Sequence, residues 1–173
     1  MSKNVLRKSE KEEKYYSIIK DKLEQLFRGK KADVYLEITA KGTFSDILKA
    51  KIPLGYEIIF SFLKKAVPDI AGFVEGSRQP GFVIVEVKKN KIELDDIYQL
   101  KKYADLFEAR FAFLVSLKPI PEDIKRLCKT PLFLLAKLRY TCEAFTLVYF
   151  NEASGEFEEW FEKNPFIESS YWR

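Results

Sequence analysis

The sequence predicts an α/β protein, a mixed central β-sheet with helices on both faces. Three observations predict it. Residues 110–116 form a near-continuous apolar run of strand length, as in a strand buried on both faces. Residues 70–74 and 82–88 are rich in β-branched side chains and flank the turn-forming stretch Glu75-Gly76-Ser77-Arg78-Gln79-Pro80-Gly81, so they read as a hairpin. Segments of helical periodicity, at residues 10–28 and around Gln99, are interleaved with these strands. The 173 residues suit one domain, 1–173, with a core at about 10–118 and a helical and hairpin extension at about 119–173.

In residues 10–28, Tyr16, Ile19, Leu23 and Leu26 recur at helical spacing and Gly29 marks the stop. Glu12 continues the same face one turn earlier, where the helix dipole favours a Glu whatever its function. Residues 33–40 alternate as a strand with Val34, Leu36 and Ile38 on one face, and Ser45 or Asp46 can cap a short helical turn. Pro53 and Gly55 break the chain. Residues 56–66 fit a helix through Tyr56, Ile59, Phe60 and Leu63, or a strand through Ile58, Phe60 and Phe62. Lys64-Lys65 at a C-terminal end favour the helix.

Along residues 82–88 the side chains alternate. Val83, Val85 and Val87 point one way, and Phe82, Ile84, Glu86 and Lys88 the other. The hairpin folds Asp69 back towards the end that carries Glu86 and Lys88. Two nearby carboxylates resist ionising together unless a cation lies between them. A hard divalent cation takes oxygen ligands, acidifies a bound water and stabilises charge on a phosphate. A lysine beside it can orient the attacking water. The combination suits phosphodiester hydrolysis. The plainer alternative is a surface salt bridge of Glu86 with Lys88 or Lys89 next to a turn-forming Pro68-Asp69.

Asp95 or Asp96 is placed to cap the next helix, whose apolar stripe is Ile97, Leu100, Ala104 and Phe107. Gln99 and Tyr103, four apart, lie one above the other, with Lys102 on that flank and Lys101 beside it; the plain alternative is a half-exposed helix margin. Pro121 suits the first position of a helix over 121–129, and 131–139 reads as a helix or an extended apolar run. Residues 146–150 and 157–161 form a terminal hairpin about the turn at 151–155. Its aromatics Trp160 and Phe161, with Phe166, Tyr171 and Trp172, suit the cover of a sheet or a dimer interface better than stacking on unpaired bases.

Taken in order, Pro68-Asp69, a hairpin, Glu86-Val87-Lys88 and then Gln99-Leu100-Lys101-Lys102-Tyr103 resemble the motifs of the PD-(D/E)XK nuclease superfamily, in its RecB-type branch with a Q-x-x-x-Y element. The resemblance covers roughly residues 15–116. It implies a restriction-endonuclease-like fold and metal-dependent DNA cleavage. Asp69 and Glu86 would hold Mg²⁺ or Mn²⁺, with the Val87 carbonyl as a further ligand. Lys88 would assist the water, and Gln99, Tyr103 and Lys102 would support the site or touch DNA. The family often adds a metal-associated Glu on its first helix, for which Glu12 is the candidate and Glu13 or Glu24 the fallback. Cys128 and Cys142 do not match the four-cysteine cluster of some RecB-type relatives.

Composition narrows the chemistry. The chain has no histidine, which removes imidazole bases and ligands, and its two cysteines cannot build a zinc or iron–sulfur site alone. The net charge of +4 permits a nucleic-acid partner without requiring one. Residues 1–14 lack the apolar core of a signal peptide, and no apolar run spans a membrane, so a cytoplasmic protein with reduced thiols is expected. No G-x-x-x-x-G-K-[ST] loop is present, so processive action would need a helicase or other DNA-processing partner. A homodimer would suit paired cuts. The rival readings are a weakly active or inactive nuclease-like DNA-binding subunit of a repair, recombination or mobile-element complex, an RNA-acting nuclease, and an interaction protein in which Asp69 and Glu86 lie apart.

Overall fold

The computed structural model describes residues 3–64, 66–76, 80–130, 142–161 and 163–172, the side chains of 3–12 excepted. The elements run α1 (Lys3–Gly29), β1 (Asp33–Ile38), α2 (Asp46–Lys49), α3 (Ile59–Phe62), β2 (Ile70–Glu75), β3 (Gly81–Lys88), α4 (Leu94–Leu106), β4 (Phe111–Ser116), α5 (Glu122–Cys128), β5 (Ala144–Asn151) and β6 (Glu156–Phe161), then a 3₁₀ turn at Ser169–Tyr171. The strands form one six-stranded mixed sheet in the order β1-β2-β3-β4-β5-β6. β3, β4 and β5 are parallel, and antiparallel partners extend the sheet on both sides. Parallel neighbours need a long crossover, and α4 supplies the one between β3 and β4.

Helices cover both faces. α1 packs its stripe Tyr16, Ile19, Leu23 and Phe27 into one apolar cluster with Val83, Val85, Val87, Phe111, Phe113 and Val115. α4 packs Ile97, Leu100, Tyr103 and Ala104 into the opposite cluster with Phe82, Ile84, Ala112 and Leu114. The period-two reading of β3 therefore holds, with each set of side chains on its own face. β4 is buried along its whole length, as its apolar run predicts. β1 can lie close to β2 because residue 72 is glycine: a Cβ there would sit 2.1 Å from the Tyr35 carbonyl oxygen and 2.8 Å from the Leu36 Cα.

Several expectations change. α1 begins at Lys3 rather than residue 10, because Lys, Arg and Glu favour a helix without any apolar periodicity to betray it. β1 ends at Ile38, which is 39% exposed although it shares a face with buried Val34 and Leu36. Of the two expected caps for α2, Ser45 is the one used, its Oγ accepting from the Leu48 N–H at 3.2 Å. The helix expected over 56–66 contracts to the single turn α3, which buries Ile59 and leaves Phe62 68% exposed. The N-cap of α4 is Glu93, not Asp95 or Asp96. Pro121 is the N-cap of α5 rather than its first residue. The reading of 131–139 lies outside the described residues.

β5 and β6 belong to the same sheet as the core strands. The C-terminal aromatics complete the α1 face: Phe166 lies 5.0 Å and Trp172 5.9 Å from the Phe27 ring, both edge-on. They cover the sheet, which leaves little ring surface for unpaired bases. Arg110 fastens this cover, donating from its guanidinium to the Glu143 carboxylate at 2.8 Å and to the Tyr171 carbonyl at 2.6 Å. No helix among the described residues is long and apolar enough to cross a membrane.

Candidate active site

The hairpin register places the first carboxylate. β2 and β3 pair from Val74 opposite Gly81 to Ile70 opposite Val85. The Val87 N–H lies two residues beyond the last pair, where no β2 residue meets it. Asp69, one residue before β2, fills that gap: its Oδ2 accepts from the Val87 N–H at 2.7 Å. The amide and carbonyl of one strand residue point to the same edge, so the Val87 carbonyl also faces the Asp69 side. The Lys88 carbonyl faces β4 and accepts from the Leu117 N–H at 2.8 Å.

Thr39 pins the Pro68-Asp69 step. The fully buried hydroxyl of Thr39 donates to the Pro68 carbonyl at 2.6 Å. The Asp69 carbonyl accepts from the Thr39 N–H at 2.8 Å and the Ala40 N–H at 3.2 Å. The residues just past β1 thus hold the Asp69 backbone while β3 holds its carboxylate, an arrangement that fixes its direction.

The second carboxylate is Glu86, 3% exposed and on the face covered by α4. Gln99 links it to the rest of the site. The Gln99 amide donates to Glu86 Oε1 at 2.8 Å and to the Tyr103 hydroxyl at 3.2 Å, while its oxygen accepts from Lys88 Nζ at 3.0 Å. The ammonium can only donate, which fixes the direction of the amide. Lys88 Nζ also lies 3.0 Å from Glu86 Oε1 and 3.2 Å from Asp96 Oδ1. Glu86 Oε2 is buried without any hydrogen-bond partner.

The electrostatics follow from burial. Burial pushes the Glu86 carboxyl up to about 8; the charge of Asp69 adds to the rise and Lys88 opposes it. For Lys88, burial pulls downward, but the Glu86 and Asp96 carboxylates outweigh it and hold the ammonium above its ordinary value. Burial also raises the Tyr103 phenol, against the hydrogen bond from Gln99 and with Glu86 and Asp69.

The sequence-predicted residues Asp69, Glu86, Val87, Lys88, Gln99 and Tyr103 thus meet at one end of the sheet. The salt bridge between Glu86 and Lys88 does form, but not at the surface: Glu86 is buried and Lys88 half-buried. Tyr103 is 0% exposed, which leaves it no surface for DNA, while Gln99 is half-buried, so only the Gln99 half of the expected helix margin is partly open. Lys102 is exposed, its Nζ 4.6 Å from the Tyr103 ring centre. Lys101 is turned to Asp105 at 2.6 Å. Glu24 is committed elsewhere, accepting from the Leu36 N–H at 3.3 Å and from Arg28 at 3.0 Å. Glu13 lies 3.7 Å from Lys41, two residues past Thr39, so the early turns of α1 reach the same end of the sheet. The Glu12 side chain lies outside the described residues.

Sequence reasoning missed Asp96 as a partner of Lys88 and Thr39 as the anchor of Asp69. Asp96 precedes Gln99 by three, one helical step along the same face, and that spacing was a readable signal. Nothing local marks Thr39.

Two carboxylates and a backbone carbonyl form an all-oxygen set that suits Mg²⁺ or Mn²⁺, which bind through one or two carboxylates and retain water. The partnerless Glu86 Oε2 is the atom such an ion would take. Among the described residues no group of three or more His, Cys, Asp or Glu side chains is placed to hold a metal. Scans against protein-family models, curated proteins and solved structures return no match to this chain.

Proposed function

We propose that the chain is a divalent-metal-dependent nuclease that hydrolyses phosphodiester bonds in DNA. One observation carries the reading: Asp69 and Glu86 come together beside Lys88 at one end of a sheet, and a buried oxygen of Glu86 has no partner. A buried carboxylate oxygen without a partner is an atom that a bound cation would satisfy. Asp69, Glu86 and the Val87 carbonyl would hold Mg²⁺ or Mn²⁺. When bound, the ion supplies an acidified water and charge neutralisation at the phosphate.

The chain's own groups do the rest. Lys88, kept as an ammonium, donates to the attacking water and to the phosphoryl oxygens, where its charge opposes the charge that develops. Gln99 fixes Glu86 and Lys88 relative to each other. Tyr103, buried in the α4 apolar cluster, backs Gln99, and Lys102 is an exposed cation on the adjoining helix flank.

A second reading, a DNA-binding subunit with little activity of its own, draws support from the two-carboxylate set among the described residues. One experiment separates the two. Mg²⁺ and Mn²⁺ are titrated by calorimetry into the wild type and the Asp69→Ala/Glu86→Ala variant, and both proteins are incubated with labelled single-stranded, double-stranded and branched DNA and with RNA. Metal binding and cleavage lost together in the variant support the nuclease, and the substrate panel separates DNA from RNA. Metal binding without cleavage moves the second reading to first place. No metal binding, even with DNA present, overturns both the metal site and the nuclease.

A further inference from the structure

Lys88 has three N–H donors and no acceptor. In this structure three oxygens are placed to take them: Gln99 Oε1 at 3.0 Å, Glu86 Oε1 at 3.0 Å and Asp96 Oδ1 at 3.2 Å. The ammonium is therefore saturated. Its three partners differ in what else they do. Glu86 is the carboxylate the proposed reaction needs for a cation, and Gln99 is shared with Glu86 and Tyr103. Asp96 alone belongs to neither group.

Asp96 is also rigidly mounted. It is the third residue of α4 and half of a capping box: its Oδ2 accepts from the Glu93 N–H at 2.8 Å, and the Glu93 side chain accepts from the Asp96 N–H. One carboxylate thus ties the start of α4 with one oxygen and Lys88 with the other. A reacting water or phosphate that takes a Lys88 hydrogen must displace one of the three partners. If Glu86 turns to a cation, Asp96 remains as the fixed charged anchor.

We propose that Asp96 is a positioning residue for Lys88: it anchors the ammonium over the site from the α4 capping box while Glu86 is engaged by a cation. The role rests on the nuclease reading for its catalytic consequence, but the anchoring itself does not. Asp96 makes no contact with a reacting atom; it acts through Lys88.

The test uses Asp96→Asn, whose amide oxygen can still accept from the Glu93 N–H while the charge facing Lys88 is gone. Asp96→Glu is the conservative variant, and thermal melting checks that each folds. The first readout needs no activity: ¹⁵N relaxation of the Lys88 ammonium in the full chain, with and without Mg²⁺. The expected result is an ordered Nζ in the wild type and a flexible one in Asp96→Asn, with the order parameter falling below about 0.6. The difference is expected to be largest with Mg²⁺ present, and Asp96→Glu to recover part of the order. Unchanged Lys88 order in Asp96→Asn overturns the proposal, whatever the cleavage assay gives.

The second readout is cleavage of the best DNA substrate. Asp96→Asn is expected to lower kcat at least about tenfold while KM stays within about twofold, the pattern of a group that acts in the reaction step. A KM rise with unchanged kcat overturns the catalytic part. A wild type that cleaves nothing overturns the nuclease reading alone, because the relaxation measurement still decides whether Asp96 anchors Lys88.

Discussion

β3 shows two kinds of burial on a single strand. Towards α1 it offers Val83, Val85 and Val87 to a cluster made of aliphatic and aromatic side chains, among them Phe27, Phe111 and Phe113. Towards α4 it begins in the same manner with Phe82 and Ile84, then places Glu86 and Lys88 where more apolar side chains would fit. On the α1 face the attraction is non-directional, so any well-shaped apolar set of the same volume serves. Among the described residues two buried side-chain oxygens lack a partner: Glu86 Oε2 on the α4 face, within a network of charged groups, and the Thr146 hydroxyl beside Phe113 on the α1 face, within an apolar cluster. The first face is built for stability. The second buries charged groups at a cost in stability, and variants can separate the two.

The largest separation comes from removing both carboxylates. Asp69→Ala/Glu86→Ala is expected to abolish Mg²⁺ binding and to reduce DNA cleavage by at least about 10⁴-fold, about 5.5 kcal/mol of barrier. Circular dichroism should show a folded protein, because both apolar clusters survive. If cleavage persists, the α4 face is not the reactive one.

The converse variant acts on the other face. Phe27 is fully buried and meets four aromatic rings, those of Phe111, Phe113, Phe166 and Trp172. Phe27→Ala is expected to cost about 3–5 kcal/mol in urea unfolding. Specific activity of the folded fraction should stay within about threefold. A loss of metal affinity in this variant would mean that the two faces are coupled through β3 rather than independent.

A third measurement sharpens the contrast through pH. The Glu86 carboxyl is raised in the folded protein to about 8, chiefly by burial, so the folded state binds this proton more tightly than the unfolded chain does. Its contribution to stability is full below the unfolded carboxyl value and is lost as pH rises towards 8, with a slope that cannot exceed about 1.4 kcal/mol per pH unit. Without divalent cation, the melting temperature of the wild type should therefore fall across this window, while that of Glu86→Gln stays flatter. Mg²⁺ should restore the wild type at pH 8 and leave Glu86→Gln unmoved. Parallel profiles for the two proteins would show that Glu86 does not supply the dependence.

How much of this was legible in the sequence divides along the same line. The alternation in residues 82–88 separated the two faces of β3, and the apolar run of 110–116 marked β4, because period and composition are local properties. The meeting of Asp69, Glu86 and Lys88 followed from a hairpin, which is also nearly local. Thr39 was out of reach: it anchors Asp69 across β1, thirty residues upstream, and one threonine among others carries no sign of that. The capping of α4 was misread because Glu93 is an uncommon cap, and Asp96 was free for Lys88 only because Glu93 took that place. Before β2 the helical face was right in part, since Ile59 and Leu63 are buried, but exposed Tyr56 at its start belongs to no helix and the helix shrinks to one turn.

The smallest effect probes whether the polar side of the site is truly specified. Tyr103→Phe keeps the buried ring in the α4 cluster and removes only the hydroxyl that accepts from the Gln99 amide at 3.2 Å. Gln99 retains Glu86 and Lys88 as partners, so its side chain stays but loses one restraint. Stability should change by about 1 kcal/mol, the worth of one neutral hydrogen bond. Metal affinity should be unchanged, while kcat falls about three- to tenfold as Glu86 and Lys88 lose definition relative to each other. An equal substitution on the α1 face, Phe113→Leu, should do the opposite, lowering stability by about 1–2 kcal/mol with no change in kcat. If Tyr103→Phe also moves stability alone, then the hydroxyl merely fills a polar gap, and the α4 face is organised by packing much as the α1 face is.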